Sequence, residues 1–309
     1  MSEPRTHGPI VSLLPAATEM IVALGAWERL AGVTHECDFP PEVRSLPVVT
    51  SSRLDAELGA AAVDAAVREA FGAGQPLFVL DEPGIRALRP TVLVTQGLCE
   101  VCAVSEAQVR RLAASLPDQA LVISLGARTL DDVLASLLQL AGALGIDGTA
   151  SEAHLGLHAR LRRVHETLKA ARAPRPRVAV IEWTEPLFTA GHWVPDMVRR
   201  AGGIDVLATS GAHSAPVRAE DVESARPDVV VFAPCGYALD RAVEAARETL
   251  ARPEWGWAHP LRLAAMDGNA LTSRPGPRLI DGVEVMARLF HPALFSPLAP
   301  GRGALILHV

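Results

Sequence analysis

Two short segments hold four residues whose donor atoms suit soft or borderline metals. His35 and Cys37 lie in His35-Glu36-Cys37-Asp38, and Cys99 and Cys102 in Gln96-Gly97-Leu98-Cys99-Glu100-Val101-Cys102. One imidazole and three thiolates make a chemically sensible set for tetrahedral zinc or another thiophilic metal. The Cys-x-x-Cys half is equally the spacing of a redox-active thiol pair. Small residues buried beside a turn would need neither reading, and all three stay open.

A second group suits contact with a flat, partly apolar molecule. Trp183, Phe188, His192 and Trp193 fall within Ile181–Trp193, and rings give large contact area at low entropic cost. Trp255 and Trp257 flank Gly256 and are candidates for the same rim. Asn269 and Arg274 lie in the segment before the last predicted helix, where a guanidinium can fork onto a carboxamide, carboxylate or phosphate.

The usual catalytic signatures are missing. The first predicted strand is not followed by G-x-G-x-x-G, and there is no phosphate-binding Walker loop. Ala208-Thr209-Ser210-Gly211-Ala212 lacks the first glycine of a nucleophile elbow, and His35-Glu36 runs into Cys37-Asp38 instead of reaching a second His. The chain is expected to bind and not to catalyse.

Charge narrows the partners. With 29 Lys and Arg against 35 Asp and Glu, the formal net charge is −6. No basic stripe is present, which argues against nucleic acid and anionic membrane surfaces. No apolar run approaches the roughly 20 residues of a membrane span. In the first residues, Pro15, Thr18 and Glu19 interrupt the apolar stretch that a secretory leader would need, so a cytoplasmic protein with reduced cysteines is expected. A monomer is also expected. The alternative is a periplasmic protein whose leader lies upstream.

These residues need a scaffold. Short β-branched runs alternate with amphipathic stretches, the pattern of parallel strands with crossover helices. Strands are predicted at Ile10–Leu14, Leu30–Thr34, Val92–Thr95, Leu121–Ser124, Val178–Trp183, Val229–Ala233 and Arg262–Met266. Helices are predicted at Ala16–Gly25, Asp55–Phe71, Ser105–Leu116, Leu130–Leu144, Val194–Ala201, Leu239–Leu250 and Pro277–Phe290. Between the two alternations, residues 149–172 form a Pro-free stretch with Leu155, Leu161, Val164 and Leu168 near helical spacing, stopped by Pro174 and Pro176. It reads as a stiff connector between an N-terminal α/β lobe (1–147) and a C-terminal one (174–309), the helix itself taking 148–173. Leu88-Arg89-Pro90-Thr91-Val92-Leu93-Val94 and Ala225-Arg226-Pro227-Asp228-Val229-Val230-Val231 echo one another in the two halves. Loops leaving parallel strands gather at one sheet edge, where open α/β folds bind ligands.

The chain resembles the class III, helical-backbone substrate-binding proteins of ABC importers, specifically their cobalamin-binding branch. The resemblance covers roughly residues 9–295. It rests on Ser12-Leu13-Leu14-Pro15-Ala16-Ala17-Thr18-Glu19, on Gly32-Val33-Thr34 through Asp38-Phe39-Pro40-Pro41-Glu42-Val43, and on Leu88-Arg89-Pro90. Pro186-Leu187-Phe188-Thr189-Ala190-Gly191 and Arg274 through Arg278 continue it. It implies two Rossmann-like lobes with mainly parallel sheets joined by a long rigid helix, clamping a corrinoid between them without catalysis. By position, Phe188 and Arg274 match the branch, while Glu36 and Gln96 stand where it has aromatic residues. With the loop residues above, this implies ligand contacts from Pro15, Glu36, Cys37, Gln96, Trp183, Phe188, His192, Trp193, Asn269 and Arg274. His35, Cys37, Cys99 or Cys102 could offer a ligand to the corrinoid cobalt. An ABC permease is the implied partner, docking through an acidic residue such as Glu106. The alternatives are a haem or siderophore binder, or a metal or thiol site built on His35, Cys37, Cys99 and Cys102.

Overall fold

A computed structural model describes residues 7–54, 58–97, 105–117, 119–299, 301 and 303–308. Cys99 and Cys102 lie outside the described residues. The chain divides into two compact units: Met1–Ala127 with Asp132–Leu155, and Arg128–Asp131 with Gly156–Val309.

The first unit is built on β1 (Ile10–Ser12), α1 (Pro15–Ala23), β2 (Leu30–Gly32), β3 (Thr50–Ser52), α2 (Ala60–Gly72), β4 (Phe78–Leu80), α3 (Glu82–Leu88), β5 (Val92–Gln96), α4 (Glu106–Ser115), β6 (Leu121–Leu125) and most of α5 (Leu130–Leu144). Its main sheet runs β2-β1-β5-β6, every pair parallel. The inner strands read as unbroken apolar runs because both faces are covered, and Ile10, Val11, Val92, Leu93 and Val94 are fully buried. Pro15 starts α1 without losing a helical hydrogen bond, since the first amides have no intrahelical partner. Asp81 caps α3 by accepting from the Gly84 N–H at 3.0 Å. Val11, Leu13, Ile85, Leu93, Val109 and Leu112 form the core beneath α3 and α4.

α6 (Asp147–Ala170) carries the chain from the first unit into the second. Its 24 residues at 1.5 Å each span about 36 Å.

The second unit adds β7 (Arg177–Thr184), β8 (Leu187–Thr189), α7 (Val194–Arg200), β9 (Ile204–Asp205), α8 (Ala219–Ser224), β10 (Val229–Phe232), α9 (Leu239–Leu250), β11 (Arg262–Met266), α10 (Gly268–Leu271), α11 (Leu279–Phe290) and β12 (Ala304–Leu307). Its sheet runs β12-β11-β10-β7-β8, with β9 also paired to β7. β7, β9, β10 and β11 are parallel, and β8 and β12 are antiparallel additions. α11 presents Leu279, Ile280, Val283, Met286, Ala287 and Phe290 at helical spacing, all buried.

Trp255 corrects the sequence reading. It is fully buried, packed on Phe232 with ring centroids 5.5 Å apart, and Trp257 stacks on it at 5.5 Å. These tryptophans precede β11, so they sit where that strand begins, away from the edge at which its parallel neighbours end. Among the described residues, no helix is long and apolar enough to cross a membrane.

Candidate functional site

In the first unit, the parallel strands bring Pro15, Glu36, Cys37 and Gln96 to one sheet edge. Pro15 is half-buried at the start of α1, and Gln96 ends β5 opposite Leu125. Glu36 and Phe39 project from the loop after β2, with Phe39 44% exposed. Phe39 was not among the expected contacts, although the Asp38-Phe39-Pro40 run already placed it at a strand exit.

Cys37 turns inward. Its Sγ lies 3.1 Å from Thr18 Oγ1 and 3.2 Å from Thr34 Oγ1, and Thr18 also donates to Ser12 Oγ at 2.8 Å. The thiol therefore ties the β2 exit to the start of α1 inside the unit. His35 Nδ1 is 2.7 Å from Thr50 Oγ1, its ring meets Phe78 at 5.6 Å, and partial burial lowers its pKa. His35 and Cys37 thus have separate hydrogen-bond partners, and the described residues include no group of three or more His, Cys, Asp or Glu placed to hold a metal ion.

In the second unit, β7 and β8 form a hairpin through Glu185 and Pro186, in which Trp183 pairs with Phe188. Residues paired across a hairpin share one face, so the two half-buried rings form one apolar surface. Trp183 gives its indole N–H to the Glu185 carbonyl at 3.0 Å and meets Tyr237 edge-on at 5.4 Å. Tyr237 is 6% exposed, the Arg241 guanidinium lies 4.0 Å above its ring, and burial raises its pKa.

Trp193 belongs to the interior instead of the rim. It is buried and donates to the Thr272 carbonyl at 2.7 Å, which clamps the start of α7 to the chain after α10. Arg274 is also buried, and its Nη2 donates to Asn269 Oδ1 at 2.8 Å. Both residues lie on the β11 exit, but this contact is spent shaping their own loop.

His192 has φ 52° and holds two loops together: its N–H donates to the Ala212 carbonyl at 2.6 Å, and its carbonyl accepts from the Gly211 N–H at 2.9 Å. Gly191 lies so close to this second loop that a Cβ would stand 2.8 Å from His213 C and 2.9 Å from Ala212 O. Only glycine fits there. The His192 and His213 rings then meet edge-on, Nε2 to Nδ1 at 3.2 Å. Burial, and after it the charges of His213 and Arg128, hold His192 below the ordinary imidazole range. Glu182 accepts from the Gly191 N–H at 3.3 Å, and burial pushes its carboxyl up against the opposing bonds from Ser214 and Gly191. Nothing in the sequence signalled His213, because 21 residues and an irregular loop separate it from its partner.

The sequence matches the periplasmic binding protein family over residues 10–256. It is 25% identical over 275 residues to the vitamin B12-binding protein of Pectobacterium carotovorum, covering 88% of this chain and 84% of that protein. Among solved structures, a periplasmic haem-binding protein of Pseudomonas aeruginosa superposes with a TM-score of 0.73 at 24% identity, covering 97% of this chain and 99% of that one. The periplasmic vitamin B12-binding protein of Vibrio cholerae gives 0.65 at 19%, covering 92% and 97%. These findings overturn the expected cytoplasmic location, since the matched family works outside the cytoplasm. A leader is cleaved away and takes no part in packing, so the residues that fold carry no mark of their compartment. The two α/β units, the 24-residue helix in which the chain passes from the first to the second, and the match over most of the chain converge: this protein belongs to the periplasmic binding protein family, the non-enzymatic substrate-binding proteins of ABC importers.

Proposed function

We propose that this protein binds a corrinoid of the cobalamin type and delivers it to an ABC permease. The observation that carries this reading is the chemistry of the strand-exit loops. Residues 33–43, 184–192 and 233–238 contain no Lys or Arg; in the first unit Glu36, Asp38 and Glu42 accompany the exposed Phe39, and in the second the Trp183–Phe188 surface is flanked by Glu185, itself paired with Arg252. A corrinoid has an apolar ring fringed with carboxamides, whose N–H groups donate to carboxylates. Haem carries two carboxylates, which acidic loops repel and which a guanidinium would ordinarily answer. Arg274 is turned onto Asn269, and the single tyrosine, Tyr237, is buried under Trp183 and Arg241, a poor position for an iron-ligating phenolate. The name of the Pectobacterium relative supports the same reading.

Haem is the second reading, favoured by the likeness to the Pseudomonas haem binder. Calorimetric titration of the full chain with cyanocobalamin, cobinamide and haemin separates the two. One equivalent of a corrinoid binding at least tenfold more tightly than haemin is expected. Haemin binding with a shifted Soret band, and no heat from either corrinoid, would overturn the proposal.

For docking to the permease, Glu106 remains the candidate. Its carboxylate accepts from Ser124 Oγ at 2.6 Å and Arg110 Nε at 2.7 Å, the two bonds that most lower its pKa. A permease arginine would compete with Arg110 for it.

A further inference from the structure

We infer that His192 and His213 form a two-imidazole site for a divalent transition-metal ion, Cu2+ first and Zn2+ next. The inference is independent of the corrinoid reading. Its basis is distance and fixity. Two nitrogens bound to one tetrahedral ion at 2.0–2.1 Å stand about 3.3 Å apart, and cis positions of a square-planar ion bring them to about 2.9 Å. Nε2 of His192 and Nδ1 of His213 are 3.2 Å apart.

In the metal-free pair, one ring donates its N–H to the other. For chelation the donor ring changes tautomer, moving that proton to its other nitrogen, so that both facing nitrogens offer lone pairs. The backbones beneath the two rings are fixed, so that only side-chain rotation sets the spacing of the nitrogens. The loops beneath are locked by the backbone bonds between His192 and Ala212 and between Gly211 and His192, and by the close seat of Gly191 on residues 212–214. His213 is exposed and His192 half-buried, so an ion can reach them from solvent.

The described residues supply no third ligand, which leaves the other coordination positions to water or to a donor carried in by a bound molecule. Arg128, whose charge reaches His192, opposes any cation. Ions that favour oxygen, such as Mg2+ and Ca2+, gain too little from imidazole to overcome it, while affinity for nitrogen sites peaks at Cu2+.

The test uses the full chain without a histidine tag, titrated with CuSO4 and ZnCl2 by calorimetry and tryptophan fluorescence. The Trp193 ring lies 5.5 Å from that of His192, close enough for bound Cu2+ to quench it. One equivalent of Cu2+ with quenching is expected, and His213→Gln, at an exposed position, should weaken binding at least tenfold while leaving the unfolding temperature unchanged. His192→Gln should do the same to binding. His165→Gln, on the exposed side of α6, is the control for the chain's ten histidines and should leave binding intact. Equal Cu2+ affinity in the wild type and His213→Gln, or equal losses in His213→Gln and His165→Gln, would overturn the inference.

Discussion

Asp205 is the least comfortable carboxyl in the second unit. Its Oδ1 accepts from the Leu207 and Ala208 N–H groups at 2.9 Å each, while Oδ2 is buried with no hydrogen-bond partner. Burial raises its pKa from 3.8 to about 6, outweighing those two bonds. The folded state therefore holds this proton more tightly than the unfolded chain does. Its contribution to stability is full below about pH 4 and is lost as the pH rises through about 6. The shift corresponds to roughly 3 kcal/mol before screening by solvent. Asp205→Asn, which cannot ionise, should raise the unfolding temperature by several degrees at pH 8 and change it little at pH 4. Thermal unfolding across that range checks this, and a pH-independent difference would contradict it. None of this was legible in the sequence, where Asp205 is one acid among many. Trp193 and Arg274 mark the same limit: their types suggested a rim, but whether a ring or guanidinium faces outward depends on partners such as Thr272 and Asn269 that spacing does not reveal.

Elements were more legible than side chains where hydrophobic periodicity is long. Val229–Phe232 and Arg262–Met266 emerge within or at the predicted strands, because a central parallel strand must be apolar on both faces. The predicted helix over 149–172 appears as Asp147–Ala170. Strands β3, β4, β8, β9 and β12 were not foreseen, being two to four residues long and carrying too little alternation to register. The C-terminal part of α6 is tied to α11 by Arg160, which pairs with Glu284 through Nε at 3.0 Å and Nη2 at 2.9 Å, and with Asp281. The Arg160 guanidinium holds the Glu284 carboxyl below its ordinary value of 4.5. Stability from this pair is present above that value and lost as the pH falls through the lower folded value. Arg160→Leu should cost about 1–2 kcal/mol at pH 7, since these groups are only partly buried. Denaturant unfolding should show the difference shrinking below about pH 4.

At the scale of the whole molecule, the alternation of strands and helices foretold the α/β class, while the family came from the resemblance carried by segments such as Ser12–Glu19 and Pro186–Gly191. The compartment was misread, because it depends on a removable segment and on no feature of the fold. A protein that binds ligand only when folded gains stability by mass action, about 2.7 kcal/mol when free ligand is one hundred times its dissociation constant. Cyanocobalamin should thus raise the unfolding temperature in proportion to the logarithm of its concentration, while haemin at matched concentration gives a smaller rise. Differential scanning fluorimetry provides the comparison, and a larger rise with haemin would reverse the choice of ligand.

Arg128–Asp131 belongs to the second unit although its flanks on both sides belong to the first, so the polypeptide passes from one unit to the other three times. Within that short excursion, the Leu130 N–H donates to Asp196 Oδ2 at 3.3 Å and Asp131 binds Arg200 at 2.8 Å. Splitting the gene at residue 156 would therefore strip the downstream piece of an anchor it needs. Asp196, buried and also held by Ser210 and Arg199, would lose the Leu130 N–H. A working half-protein would have to carry those four residues back as a grafted strap.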